Sequence, residues 1–149
     1  MTDRRELRIL TRAECFELLA GAWIGRVVLT AHALPTAMPV NYALDGDAIV
    51  FRSGSGMKLS AAEAGTVVAF EVDHFDTTLR MGWSVLATGV ARRLNDPAEV
   101  QEARGLGVPT WVEPGPADSF VRIEIGSMSG RRLVPVAHGT APTAAPLSA

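Results

Sequence analysis

Apolar positions recur at helical spacing near the start of the chain and at strand spacing after Ile24. Thr11-Arg12-Ala13-Glu14 fits a capping box, with Thr as N-cap and Glu three residues on. Cys15, Leu18, Leu19 and Ala22 then form an apolar stripe, and Gly21 can close the segment, so a helix of about three turns is predicted. Ile24–Ala31 and Val40–Leu44 are rich in β-branched residues and predict two strands, separated by a turn around Pro35. Asp45-Gly46-Asp47 lies between apolar runs and reads as a hairpin turn, with Ala48–Arg52 as the returning strand.

Further along, Met57–Ala64 holds strong helix formers and predicts a short helix ended by Gly65. Thr66–Val72 is apolar enough for a strand buried on both faces, and Asp73–Gly82 reads as a polar loop. Trp83–Leu94 predicts a long strand, with Gly89 marking a bulge. Asp96-Pro97-Ala98-Glu99 starts a helix through about Arg104, and Phe120–Ile125 alternates strictly as the last strand. About six or seven strands with short connections and few helices predict a mainly β (α+β) fold, an antiparallel barrel with peripheral helices. A doubly wound parallel sheet would need a helix between most strands, and the first strands have none. One domain over residues 1–134 is expected, followed by a disordered Ala/Pro-rich tail over 135–149.

Composition narrows the function. With 48% hydrophobic and 20% charged residues, the chain has ordinary globular proportions. A net charge of -2, with basic residues scattered, predicts neither nucleic acid nor an anionic membrane as partner. Cys15 stands alone, which excludes an internal disulfide and predicts a buried structural thiol. The segment MTDRRELRIL lacks the apolar stretch of a signal peptide, and no apolar run is long enough to span a membrane; a cytoplasmic location is expected.

The chemistry concentrates at Ile49–Leu59, IVFRSGSGMKL. Lys58 is the only lysine among 14 lysine and arginine residues, and it stands at a predicted helix start beyond a Gly-Ser-Gly loop. Glycines let successive backbone N–H groups share one concavity, and the helix end adds positive partial charge. Ser53 and Ser55 can donate hydroxyls, Arg52 a planar fork and Lys58 a point charge, which suits a phosphate. The spacing is neither a Walker A loop nor a Rossmann fingerprint. The alternative is a flexible connection with solvated charges. His32, His74 and His138 are scattered without metal-ligand spacing, so no metal site is predicted, and His74 is expected in an exposed loop. Trp83, Trp111 and Phe120 could stack on a planar ligand or simply pack.

Taken in order, the leading helix, IGRVVLTA, PTAMPVNYALDGDAIVFRSGSGMKL, VVAFEVDHFDTTLRMGWSVLATGVARRL and FVRIEIGSMSGRRL resemble the pyridoxamine 5'-phosphate oxidase-like, FMN-binding split-barrel family, over Leu10 to Leu133. The resemblance implies a six-stranded antiparallel split β-barrel that forms a homodimer with flavin at the subunit interface. It implies that Pro39, Val40 and Asn41 lie along the isoalloxazine ring, and that Phe51, Arg52 and Ser53 face the ribityl chain and phosphate. Met57 and Lys58 match a pair that grips the phosphate, and Trp83 and Ser84 match a strand that approaches the ring. Met57 departs from the basic pair of the oxidase. The oxidase's substrate-binding C-terminal segment has no counterpart in the Ala/Pro tail, so pyridoxamine phosphate oxidation itself is not expected.

The leading expectation is an FMN-dependent oxidoreductase moving electrons between a reduced nicotinamide and a small flat organic acceptor or oxygen. Alternatives are a reductase using the deazaflavin coenzyme, a non-enzymatic flavin- or haem-binding protein with His74 as the haem ligand, and a barrel without cofactor.

Overall fold

The computed structural model describes residues 4–115 and 118–136. In order they form β1 (Arg5–Ile9), α1 (Arg12–Ala20), β2 (Ile24–Ala31), β3 (Leu34–Asp45) and β4 (Ala48–Ser53). There follow α2 (Met57–Glu63), β5 (Val67–Asp76), β6 (Met81–Arg93), α3 (Pro97–Gly105) and β7 (Ser119–Pro135). The seven strands lie in the order β1-β7-β4-β3-β2-β5-β6, and a further β6–β7 pairing closes the sheet on itself. Every pairing is antiparallel. The closed ring therefore has the six strands expected, and β1 is a seventh added to the edge of β7.

Local chemistry explains most of the elements. Thr11 and Glu14 form the reciprocal capping box at the start of α1, and Gly21 is its C-cap. Asp45 pairs with Ala48 around the loop Gly46-Asp47, where Gly46 takes φ 56, a value at which a side chain would be strained. Asp96 caps α3 by accepting from the Ala98 N–H at 3.0 Å, with Pro97 following as the first helical residue. Gly89 sits at a register shift between β6 and β7, as its bulge assignment required, and any Cβ there would collide with the Glu124 carbonyl.

Four departures have physical causes. The first hairpin turns at His32-Ala33, not around Pro35, with both residues at positive φ (51 and 62). Such paired left-handed residues match the right-handed twist of the flanking strands. Pro35 and Pro39 then belong to β3; they are tolerated because β4 pairs only Tyr42–Asp45, leaving the earlier half of β3 an edge on that side. Most of the expected loop Asp73–Gly82 is strand: Asp73–Asp76 pair with Met81–Ser84, and polar side chains are allowed there because the ribbon end is exposed. β7 continues past Ile125 to Pro135, through glycines and serines that carry no strand pattern. Pro135, expected to open the tail, pairs with Arg5, and the Val136 N–H donates to the Arg4 carbonyl at 3.1 Å; residues 137–149 of the expected tail, with His138, lie outside the described residues.

The barrel interior is filled by Val27, Leu29, Tyr42, Phe51, Phe70 and Ile123, together with Cys15 and Leu19 from α1 and Leu59 and Ala62 from α2. Cys15 is buried as expected, and burial pushes its thiol pKa up. The Tyr42 hydroxyl donates to the Leu19 carbonyl at 2.5 Å, tying β3 to α1. β4 is buried on both faces, because Val50 points outward beneath Ala103 of α3 and Phe120 of β7. With both faces covered, β4 holds its C-terminal residues Arg52 and Ser53 in a fixed place. No helix among the described residues is long and apolar enough to cross a membrane.

Candidate functional site

The edge half of β3 brings Pro39, Val40 and Asn41, β4 brings Arg52, and α2 brings Lys58 to one cavity of about 210 Å³, whose remaining wall is the stretch after α3, Val108 to Pro114, with Asp118. Each arrives for a local reason. The β3 segment is paired with β2 on one side, Pro39 opposite Arg26, while its other side lies beyond the reach of β4 pairing. Its backbone is therefore accessible to a bound molecule. Gly56 carries the chain into α2 at φ 148 and ψ −164, a conformation open essentially to glycine alone. No side chain caps α2, so its first-turn N–H groups and its positive end stand beside Lys58.

Arg52 is held by stacking. Its guanidinium carbon sits 4.7 Å from the centroid of the Phe120 ring, the residue directly opposite on β7. Its Nε is buried and has no hydrogen-bond partner. Lys58 makes no ion pair among the described residues. Glu113 and Asp118 line the same cavity, so its formal charge is balanced. Anion binding here must come from the placement of donors and not from a net positive field.

A larger cavity of about 600 Å³ adjoins it, and Trp23, Trp83 and Trp111 all line it, together with His74, Asp73 and Glu17. These are all three tryptophans of the chain. Trp111 also lines the smaller cavity, so the aromatic space and the Arg52–Lys58 space share a wall.

The structure thus brings together Pro39, Val40, Asn41, Arg52 and Lys58, and places Trp83 one cavity away. Ser53 is buried, and its hydroxyl donates to the Gly54 carbonyl at 3.0 Å, which braces the loop. The Phe51 ring belongs to the core, and Met57 is exposed at the first position of α2. Ser84 lies between Asp73 of β5 and Arg131 of β7. Trp23 was not anticipated; it follows α1 directly and carries no motif of its own. Its one available signal is that a tryptophan left 64% exposed has no core role to fill.

Comparison with known proteins adds an independent line. A family model described as pyridoxamine 5'-phosphate oxidase matches residues 11–132. Uncharacterized protein Rv0080 of Mycobacterium tuberculosis is 39% identical over 135 residues, covering 87% of this chain and 88% of that protein. Among solved structures, a FAD binding protein from Mycobacterium smegmatis is 33% identical with a TM-score of 0.71, covering 84% of this chain and 98% of that one. A FAD-binding protein from Mesorhizobium loti is 27% identical with a TM-score of 0.74, covering 85% of this chain and 97% of that one.

Proposed function

The chain belongs to the pyridoxamine 5'-phosphate oxidase family, and from the cavity at Arg52 and Lys58 we propose that it is a flavin-dependent oxidoreductase. The moiety held there is that of FMN, whether as the free mononucleotide or as the corresponding half of a larger flavin. The reaction moves electrons between a reduced nicotinamide and a small flat organic acceptor or oxygen, in the cytoplasm and in a homodimer.

One observation carries this reading: the guanidinium of Arg52, stacked on Phe120, belongs to a residue that shares a cavity with Lys58 and the open edge of β3. Arg52 offers a planar fork and Lys58 a compact charge, and the first turn of α2 adds backbone donors, which together meet a phosphate dianion. Pro39, Val40 and Asn41 would lie along the ring system, with backbone groups near its heteroatoms. Trp111 separates this space from the tryptophan cavity, which is large and apolar enough for a flat substrate. The two FAD-binding neighbours support a flavin as the ligand.

The flavin, when bound, supplies the redox chemistry. The chain binds its phosphate, fixes the plane of its ring and walls the substrate side with tryptophan. Its acid–base contribution is small in number of groups: His74 and Asp73 are the titratable residues of β5 that line the tryptophan cavity.

The test is an absorption spectrum of the purified protein, followed by heat release and chromatography of any chromophore. Paired flavin bands, with a flavin in the supernatant, are expected. A colourless protein that also takes up neither FMN nor FAD overturns the proposal. A deazaflavin band in place of flavin bands would overturn the cofactor and leave the binding site standing.

A further inference from the structure

The tryptophan cavity is acidic as well as aromatic. Its ionisable lining is Glu17, Asp73 and His74, and of the 14 lysine and arginine residues in the chain none lines it. The smaller cavity, by contrast, sets Arg52 and Lys58 against Glu113 and Asp118. Glu17 lies on α1, and its carboxylate makes no ion pair or hydrogen bond among the described residues. Arg26 Nη1 lies 3.2 Å from Asp73 and 3.4 Å from Glu71, so one guanidinium serves two carboxyl groups. Even with Arg26 committed wholly to Asp73, Glu17 leaves the wall negative.

The three indoles reach this wall from separate parts of the chain. The Trp23 carbonyl accepts from the Tyr42 N–H at 3.1 Å, which ties the residue after α1 to β3. Trp83 of β6 pairs with His74 of β5, and Trp111 comes from the stretch after α3. Trp23 and Trp111 are 64% and 70% exposed, so neither has a place in the core. An indole face carries negative potential and attracts a cation more strongly than any other side-chain ring. A neutral flat ligand would use the indoles and leave the Glu17 charge idle. A cation uses both.

We propose that the tryptophan cavity takes a planar organic cation, an N-alkylated heteroaromatic ring, with the indoles binding the ring and Glu17 and Asp73 balancing its charge. The inference rests on the flavin reading above in naming this cation as the substrate; the binding itself needs no flavin. The cavity, of about 600 Å³, lies within the usual range for small-molecule sites, about 300–1,000 Å³. A permanently charged ring cannot shed its charge on leaving water, so an apolar wall alone would reject it and a wall with carboxylates admits it. The pyridinium of an oxidised nicotinamide dinucleotide presents the same chemistry, so the test separates these two sources.

Protein as purified is titrated by calorimetry with N-methylquinolinium and with uncharged quinoline, at pH 8, above the ordinary histidine range. Wild type is expected to bind the cation about tenfold or more tighter than quinoline. Glu17 is exposed on α1, so Glu17→Gln spares the core. That variant should bind the cation about threefold more weakly and quinoline as before. Equal affinity of wild type for the two probes, or binding of neither, overturns the proposal whatever flavin the protein carries. A protein that prefers the cation yet takes up no flavin keeps the cation site and overturns only the reading beneath it. Displacement of the probe by oxidised but not by reduced nicotinamide dinucleotide supports the proposal with the electron donor as the source. Displacement by neither supports it with a separate cationic substrate.

Discussion

Arg52 stacks its guanidinium on the ring of Phe120, 4.7 Å from the centroid, across the paired strands β4 and β7. The stack fixes the plane of the guanidinium while its buried Nε stays unpartnered. Arg52→Lys keeps the charge and loses both the fork and the stack. Flavin affinity is therefore expected to fall about tenfold in Arg52→Lys, read by fluorescence titration of apo-protein. Full affinity in that variant would show that charge alone is what the site uses.

Lys58 contributes a point charge at the start of α2, outside the barrel core. Lys58→Ala should lower flavin affinity by about tenfold and leave the far-ultraviolet circular dichroism unchanged. Unchanged flavin content in Lys58→Ala purified at limiting cofactor would remove the phosphate role from this residue.

Gly25 in β2 lies against the Phe70 ring so closely that any Cβ would enter it, and Val72 would be 3.0 Å away. Phe70 in turn meets Tyr42 edge-on at 5.0 Å, so the ring has no room to retreat. Gly25→Ala should cost about 1–3 kcal/mol and lower the melting temperature by about 5 °C. Gly105, where an added Cβ meets nothing within 4 Å, provides the control: Gly105→Ala should melt close to wild type.

Glu71 on β5 has its carboxyl pushed up to about 7, first by burial, then by hydrogen bonding to Asp73 and by that residue's charge, against the opposing pull of Arg26. Arg26 reaches both carboxylates, at 3.4 Å to Glu71 and 3.2 Å to Asp73. The native state then holds a proton that the unfolded chain releases near the ordinary glutamate value. Stability from this group is full below that value and is lost as pH rises through about 7. Urea midpoints should accordingly fall between pH 5 and pH 8 in wild type, and fall less in Glu71→Gln. Parallel pH profiles for the two proteins would dissociate Glu71 from the effect.

Much of this molecule can be read from residue order, and the parts that cannot share a cause. The capping box, the Gly46 turn and α3 each depend on neighbours within a few residues. β1 stayed hidden because four of its five residues are exposed, so no apolar alternation marks it. The later half of β7 reads as a loop, yet Gly130 is there because Cys15 Sγ would lie 2.6 Å from a Cβ, a demand set by a distant helix. The site divides in the same way. Arg52 and Lys58 announce themselves beside a glycine loop. Trp23, Trp83 and Trp111 come from separate stretches that only the closed barrel brings to one cavity.

Leu86 and Val90 point outward from β6, and Val90 pairs with the exposed Val67 of β5, so this face carries an apolar patch. Burial of such a patch suits the homodimer proposed above. Sedimentation equilibrium should return about twice the 15.8 kDa chain mass, and Leu86→Glu should shift the balance toward single chains. A wild-type monomer at all concentrations would remove the dimer from the proposal.

β7 hydrogen-bonds with β1, β4 and β6, more pairing partners than any other described strand has, and it is the last element of the described chain. During synthesis, everything before Ser119 emerges as a sheet whose closing seam does not yet exist. The open edges of β4 and β6 must wait for one segment, and contacts spanning most of the chain form together when it arrives. The barrel can therefore close only once β7 is available. A transcript truncated before β7 would yield an adhesive open sheet, the kind of species that chaperones and proteases must clear.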